Sequence, residues 1–123
     1  MQRIFLREPV PRPQEALAQM DMLVLPTPYE GFGLVLIEAM ASGIPVIASC
    51  KGGAADVVQN EVNGLTVGKK LYAKEIQAAV RRLVDEPELR DRLIENGLTT
   101  VREKFTWDVV LPQYRKLLGI KSM

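Results

Sequence analysis

The sequence predicts an α/β fold: a doubly wound parallel sheet flanked by helices, with a helical C-terminal region. Three observations carry that expectation. Residues 22–25 and 46–48 are short, continuous apolar runs, the pattern of strands covered on both faces. Helix signals lie between and after them, clearest at 73–84, where Ile76, Ala79, Val80 and Leu83 recur with a 3.6-residue period. Glycine-containing turns punctuate the units. Strands alternating with helices point to a parallel sheet. At 123 residues, 47% of them hydrophobic, the chain can bury one core without disulfide or metal staples.

Taken in order, Arg3-Ile4-Phe5-Leu6 reads as a strand, ended by Pro9, Pro11 and Pro13. Pro13 stands near the start of a short helix over 14–20. The strand at 22–25 stops at Pro26, a loop covers 27–33, and a helix follows over 34–42. Gly43 suits the left-handed residue that closes a helix, and Ile44-Pro45 returns the chain to extended form. After the strand at 46–48, the turn Gly52-Gly53 opens a short helix over 54–59. Asn63-Gly64 is a turn pair before a strand at 65–67. The helix at 73–84 gives way to one that starts at Pro87 and carries Leu89, Leu93 and Ile94. Asn96-Gly97 leaves two readings open, an end to that helix or a weakened interior, since one interior glycine costs about 1 kcal/mol. Thr106 is placed to cap a last helix reaching Leu118, with Trp107, Val110, Leu111, Tyr114 and Leu117 as its apolar stripe.

Composition removes several function classes. Sixteen basic against fifteen acidic residues leave a formal charge of +1, which supplies neither a nucleic-acid footprint nor a polybasic membrane patch. One cysteine excludes an internal disulfide framework, and the absence of histidine removes most catalytic triads and zinc sites. Neither a membrane span nor a signal peptide is legible, so a cytoplasmic location is expected.

In parallel sheets, ligands bind beyond the carboxyl ends of the strands. That rule selects two loops, 26–33 and 49–53. The first places Glu30 and Glu38 at different depths of one cleft, with Gly31 and Gly33 between them. Carboxylates accept hydrogen bonds from sugar hydroxyls, and glycines let the backbone approach a ligand. Amides at the start of the following helix, around Phe32, Gly33 and Leu34, are donors suited to an anion. From spacing alone, a glycine turn bearing two solvated glutamates explains the pattern equally well. Cys50 and Lys51 read as a packed thiol and a solvated amine, Trp107 as core, and Lys69-Lys70 as a solvated pair.

The longer string narrows the choice. Glu30-Gly31-Phe32-Gly33-Leu34, Glu38-Ala39-Met40-Ala41-Ser42-Gly43-Ile44-Pro45 and Val46-Ile47-Ala48 together resemble the signature of retaining glycosyltransferases of the GT-B fold, the group that includes glycogen synthase. The resemblance continues through Gly52-Gly53, Asn63-Gly64-Leu65 and Phe105-Thr106-Trp107; Asp56 stands where the group usually has glutamate. It implies a truncated Rossmann-like sheet, the C-terminal part of a GT-B donor domain. The chain would then be one partial nucleotide-sugar-binding domain, α/β over about 1–72 and helical over 73–123. Glu38 would bind the ribose hydroxyls of the donor. Glu30 would lie beside the donor sugar as the catalytic residue, and Gly31, Phe32, Gly33 and Leu34 would face sugar and phosphate. Neither a metal ion nor another cofactor is implied.

The same resemblance lacks the family's acceptor domain and the opening strand–helix units whose basic residues grip the donor diphosphate; Arg3, Arg7 and Arg12 do not match them. The expectation is therefore a donor-binding fragment, weak toward nucleotide-sugars and inactive alone. The alternatives are a non-catalytic interaction module and a subunit completed by a separately encoded N-terminal half. By resemblance, residues 3–6 correspond to the family domain's third strand and 22–25 to its fourth, whose exposed apolar edge would favour a homodimer.

Overall fold

A computed structural model describes residues 13–27, 34–70 and 72–106. The expected strand at 3–6 and the expected last helix lie outside these residues, as do Glu30, Gly31, Phe32 and Gly33. The described elements are α1 (Pro13–Leu17), β1 (Leu23–Leu25), α2 (Leu34–Ala41), β2 (Val46–Ser49), α3 (Ala54–Val57), β3 (Leu65–Val67), α4 (Tyr72–Asp85) and α5 (Pro87–Lys104).

The three strands form a parallel sheet in the order β1-β2-β3. Leu23, Val24 and Leu25 stand opposite Val46, Ile47 and Ala48; Ile47, Ala48 and Ser49 stand opposite Leu65, Thr66 and Val67. Every residue of β2 is buried, as its unbroken apolar run requires of a strand covered on both sides. Its side chains alternate between two cores. Val46 and Ala48 join Leu17, Leu36, Ala39, Met40 and Val57 from α1, α2 and α3. Ile47 joins Leu65, Val67, Ala79, Leu83, Leu89 and Leu93 from β3, α4 and α5. The period of two along one strand thus divides the interior into two layers.

Helix α5 links those layers. Leu89 and Leu93 near its start belong to the second core, whereas Val101 and then Phe105, just past its end, pack against the first. It runs without a break through Asn96-Gly97, which settles the open question at that pair. Gly97 is buried, and a Cβ on it would stand 3.3 Å from Met40 Cγ. The helical penalty of glycine is accepted where α2 and α5 need close approach.

Two helix ends differ from the sequence expectation by more than one residue. Helix α1 stops at Leu17 rather than Met20, because the amides of Gln19 and Met20 bond three residues back and tighten the chain into a turn. Helix α3 stops at Val57 rather than Gln59: Val58 is extended (φ −103°, ψ 120°), and the Gln59 amide donates to Asn63 Oδ1 at 2.8 Å. The end of α2 is as expected. Gly43 is left-handed (φ 73°), its amide bonds Met40 O, and the Ile44 amide bonds Ala39 O, the paired bonds of a Schellman closure.

Candidate functional site

Parallel order means that the chain leaves β1 and β2 at the same edge of the sheet, the edge from which both segments selected from sequence start. Helix α2 leaves that edge and returns toward the amino ends, which puts its first turn at the carboxyl ends of the strands. Leu34 opens the helix and is 63% exposed. Glu38 lies one turn further on the same face, turned away from the buried Leu36, Ala39 and Met40, and is half-buried. Its backbone carbonyl accepts from the amide (3.0 Å) and hydroxyl (2.9 Å) of Ser42. Its carboxylate has no partner among the described residues.

The second loop is built tightly. The Cys50 amide extends the ladder by donating to Val67 O at 2.9 Å, and the Lys51 amide donates to the hydroxyl of the fully buried Ser49 at 3.1 Å. Gly52 then takes φ 70°, turning the chain into α3. Cys50 is half-buried and Lys51 exposed, matching the modest roles read for them. The loop after β3 differs. The amides of Lys69 and Lys70 both donate to the carboxylate of Glu75, each at 3.2 Å, so these donors are already taken by the first turn of α4.

The opposite edge carries what the sequence reading missed. Asn63, read as half of a turn, is 96% buried, its Oδ1 holding the Gln59 amide while its Nδ2 donates to Val57 O and Thr100 Oγ1, both at 3.1 Å. Thr100 in turn donates to Asn96 O, and Asn96 Nδ2 donates to Val62 O at 2.7 Å. One side chain therefore ties the end of α3, the 59–64 turn and α5 together. Sequence signals a turn at Asn-Gly but says nothing of which distant helix that turn faces. Beyond it, Arg82 forks onto Glu61, Nη1 to Oε2 and Nη2 to Oε1 (2.9 Å), while its Nε reaches Glu86. The hydrogen bond from Arg82 holds the Glu61 carboxyl below its ordinary pKa. A groove of about 580 Å³ also opens on this amino-end side, lined in part by Met20, Met22, Pro45 and Val84. It is separate from the strand ends that carry Glu38.

Among the described residues, no group of three or more acidic, cysteine or histidine side chains is arranged to hold a metal ion, and no helix is long and apolar enough to cross a membrane.

Comparison with known proteins agrees with this fold. Residues 1–100 match the family model described as glycosyl transferases group 1. An uncharacterized glycosyltransferase of Methanocaldococcus jannaschii is 39% identical over 88 residues, 72% of this chain and 22% of that protein. Sucrose-phosphate synthase from Thermosynechococcus elongatus superposes with a TM-score of 0.73 at 36% identity, over 86% of this chain and 27% of that one. The Anabaena protein HepE, solved in complex with UDP-glucose, gives 0.78 at 24% identity over 85% of this chain and 29% of its own, a likeness of fold. The chain thus spans less than a third of each of these proteins. Its three parallel strands and their helices match the C-terminal part of GT-B glycosyltransferases. With that family model covering most of its length, the chain belongs to the glycosyl transferases group 1 family.

Proposed function

We propose that this chain forms the donor-binding part of a retaining glycosyltransferase that takes a sugar from a nucleotide-sugar, and that it does not transfer sugar alone. The observation that carries the reading is Glu38: a half-buried carboxylate one turn inside a helix whose first turn lies at the carboxyl ends of the strands. A carboxylate can accept from two adjacent hydroxyls at once, the pattern that a ribose ring presents. Helix-start amides beside it complement a diphosphate, while the loop glycines Gly31 and Gly33 leave room for the sugar. Glu30 stands in this reading beside the reacting sugar, with Phe32, Gly33 and Leu34 donating from the backbone.

Transfer needs donor and acceptor held together, a positioning effect worth up to about 7–11 kcal/mol of barrier. Less than a third of each compared protein is present here, so turnover by this chain is not expected. The test is titration of the labelled chain with UDP and UDP-glucose, the nucleotides being chosen because HepE was solved with UDP-glucose. Amide shifts centred on 30–38 and on 49–53 at millimolar ligand are expected, and silence there at saturating concentrations would remove the reading. Incubation with labelled nucleotide-sugars and mixed acceptors should give no product. Product that disappears in Glu30→Ala would refute the claim of inactivity.

A further inference from the structure

The way α2 is seated gives a role to a residue far from any ligand. Along one side, α2 meets α5 in an antiparallel seam. A Cβ on Gly43 would lie 3.9 Å from Ile94 Cγ2, and one on Gly97 would lie 3.3 Å from Met40 Cγ and 3.5 Å from Met40 Cβ. Val101, one turn further along α5, packs against the same core as Leu36. Met40 is 2% exposed, so its side chain has little room to give way. The other half of the seat is rigid as well. Asn63 holds Thr100, and Asn96 holds Val62 O, which fixes the stretch of α5 around Gly97 to the 59–64 turn. Glu38 stands two residues before Met40 on the same helix. A shift of Met40 against α5 is therefore a shift of Glu38 and of the α2 amino end at the strand ends.

We propose that Gly97 is a positioning residue for the donor site: by admitting Met40 against the surface of α5, it sets the depth at which Glu38 meets a nucleoside diphosphate. The proposal rests on the reading of Glu38 as the contact to ribose. Packing alone makes a different forecast. Alanine is a better helix former than glycine, and that gain offsets the tight contact with Met40, so a purely structural Gly97 would leave Gly97→Ala near wild-type stability, with binding untouched. Positioning requires binding to change when stability does not, because sub-ångström displacement of a polar contact erodes its geometry.

The experiment uses the whole chain, isotope-labelled, with UDP as the probe, in wild type, Gly97→Ala and Gly97→Val. A Leu89→Val variant, altering α5 in the other core, serves as a control for general destabilisation. Gly97→Ala should shift the free-state amides of 34–41, keep the melting midpoint and raise Kd about threefold; Gly97→Val should raise it about tenfold or more. Leu89→Val should lower the midpoint and leave Kd unchanged. If Gly97→Val does not fold, the alanine variant decides. Unmoved α2 amides, or moved amides with wild-type Kd, overturn the proposal, as does an equal rise in Kd for Leu89→Val. A wild-type chain that shows no UDP shifts removes the Glu38 reading itself, and the role of Gly97 falls with it.

Discussion

The two edges of the sheet are built on opposite plans. At the amino edge, the 59–64 turn is saturated: Asn63 makes three side-chain hydrogen bonds, Asn96 and Thr100 make others, and Arg82 forks onto Glu61. Gly64 is so closely packed that a Cβ would lie 2.7 Å from Val58 Cγ1 and 2.9 Å from Val46 Cγ2. At the carboxyl edge, the start of α2 presents an exposed Leu34 and a half-buried Glu38 whose carboxylate has no described partner. Saturated polar groups stabilise a fold, and unsatisfied ones near a helix start remain able to take a ligand. Under the proposed function, the difference between the edges is a division of labour between holding the sheet and offering a site.

Substitutions at the two edges should separate these roles. The largest effect is expected for Asn63→Ala, which leaves Val57 O, the Gln59 amide and the Thr100 hydroxyl without their partner; a loss of about 3 kcal/mol follows. In a domain of this size that is a fall in Tm on the order of 10 °C, read by calorimetry or circular dichroism. A fall of a degree or two would mean that water replaces the side chain easily and that the edge is less rigid than described. Next comes Gly64→Ala, destabilising by about 2 kcal/mol through overpacking against Val58 and Val46, measured by urea unfolding. An unchanged midpoint would show that the β2–β3 junction can widen.

At the carboxyl edge the signs reverse. Glu38→Gln should leave the melting midpoint within experimental error while weakening UDP binding about tenfold, or about 1.4 kcal/mol, because neutral amide acceptors replace charged ones. Equal losses of stability and affinity would erase the contrast between the edges. The smallest effect belongs to Glu61. Its folded-state pKa is depressed, chiefly by the Arg82 hydrogen bond, so its stabilising contribution is present above the ordinary carboxylate range and is lost as pH falls through the lowered value. Both side chains are well exposed, which limits the contribution to under about 1 kcal/mol. Comparing wild type with Glu61→Gln by urea unfolding from neutral to acid pH should show a gap that closes in acid. A gap constant with pH would assign the effect to packing.

Much of the local structure was legible before any coordinates. The buried runs became β1 and β2, Gly43 became the left-handed end of α2, and Pro87 the first turn of α5. The stripe of Ile76, Ala79, Val80 and Leu83 does face the second core. The misplaced ends have local causes that depend on distant groups. Val58 leaves the helix because the next amide is taken by Asn63, and that capture needs the 59–64 turn already folded. Of the candidate site, Glu38 and Leu34 fall on α2 as expected, and Glu30 to Gly33 lie outside the described residues.

By itself, the sequence determined the alternation of strand and helix, the two-sided burial of the sheet and the places where the chain leaves β1 and β2. These follow from periodicity and turn chemistry, which act over a few neighbouring residues and can be read from them. Only the tertiary structure decided that Asn63 is a buried hub, that Gly97 belongs inside a continuous helix and that α2 rests on α5 through Met40. Each of these depends on a partner from another element, Asn63 on a residue 37 positions away, and the local pattern around each is compatible with several outcomes. Gly97 shows the reason most plainly: its cost is local, a weakened helix, whereas its compensation is close contact with a helix that the chain completed far earlier.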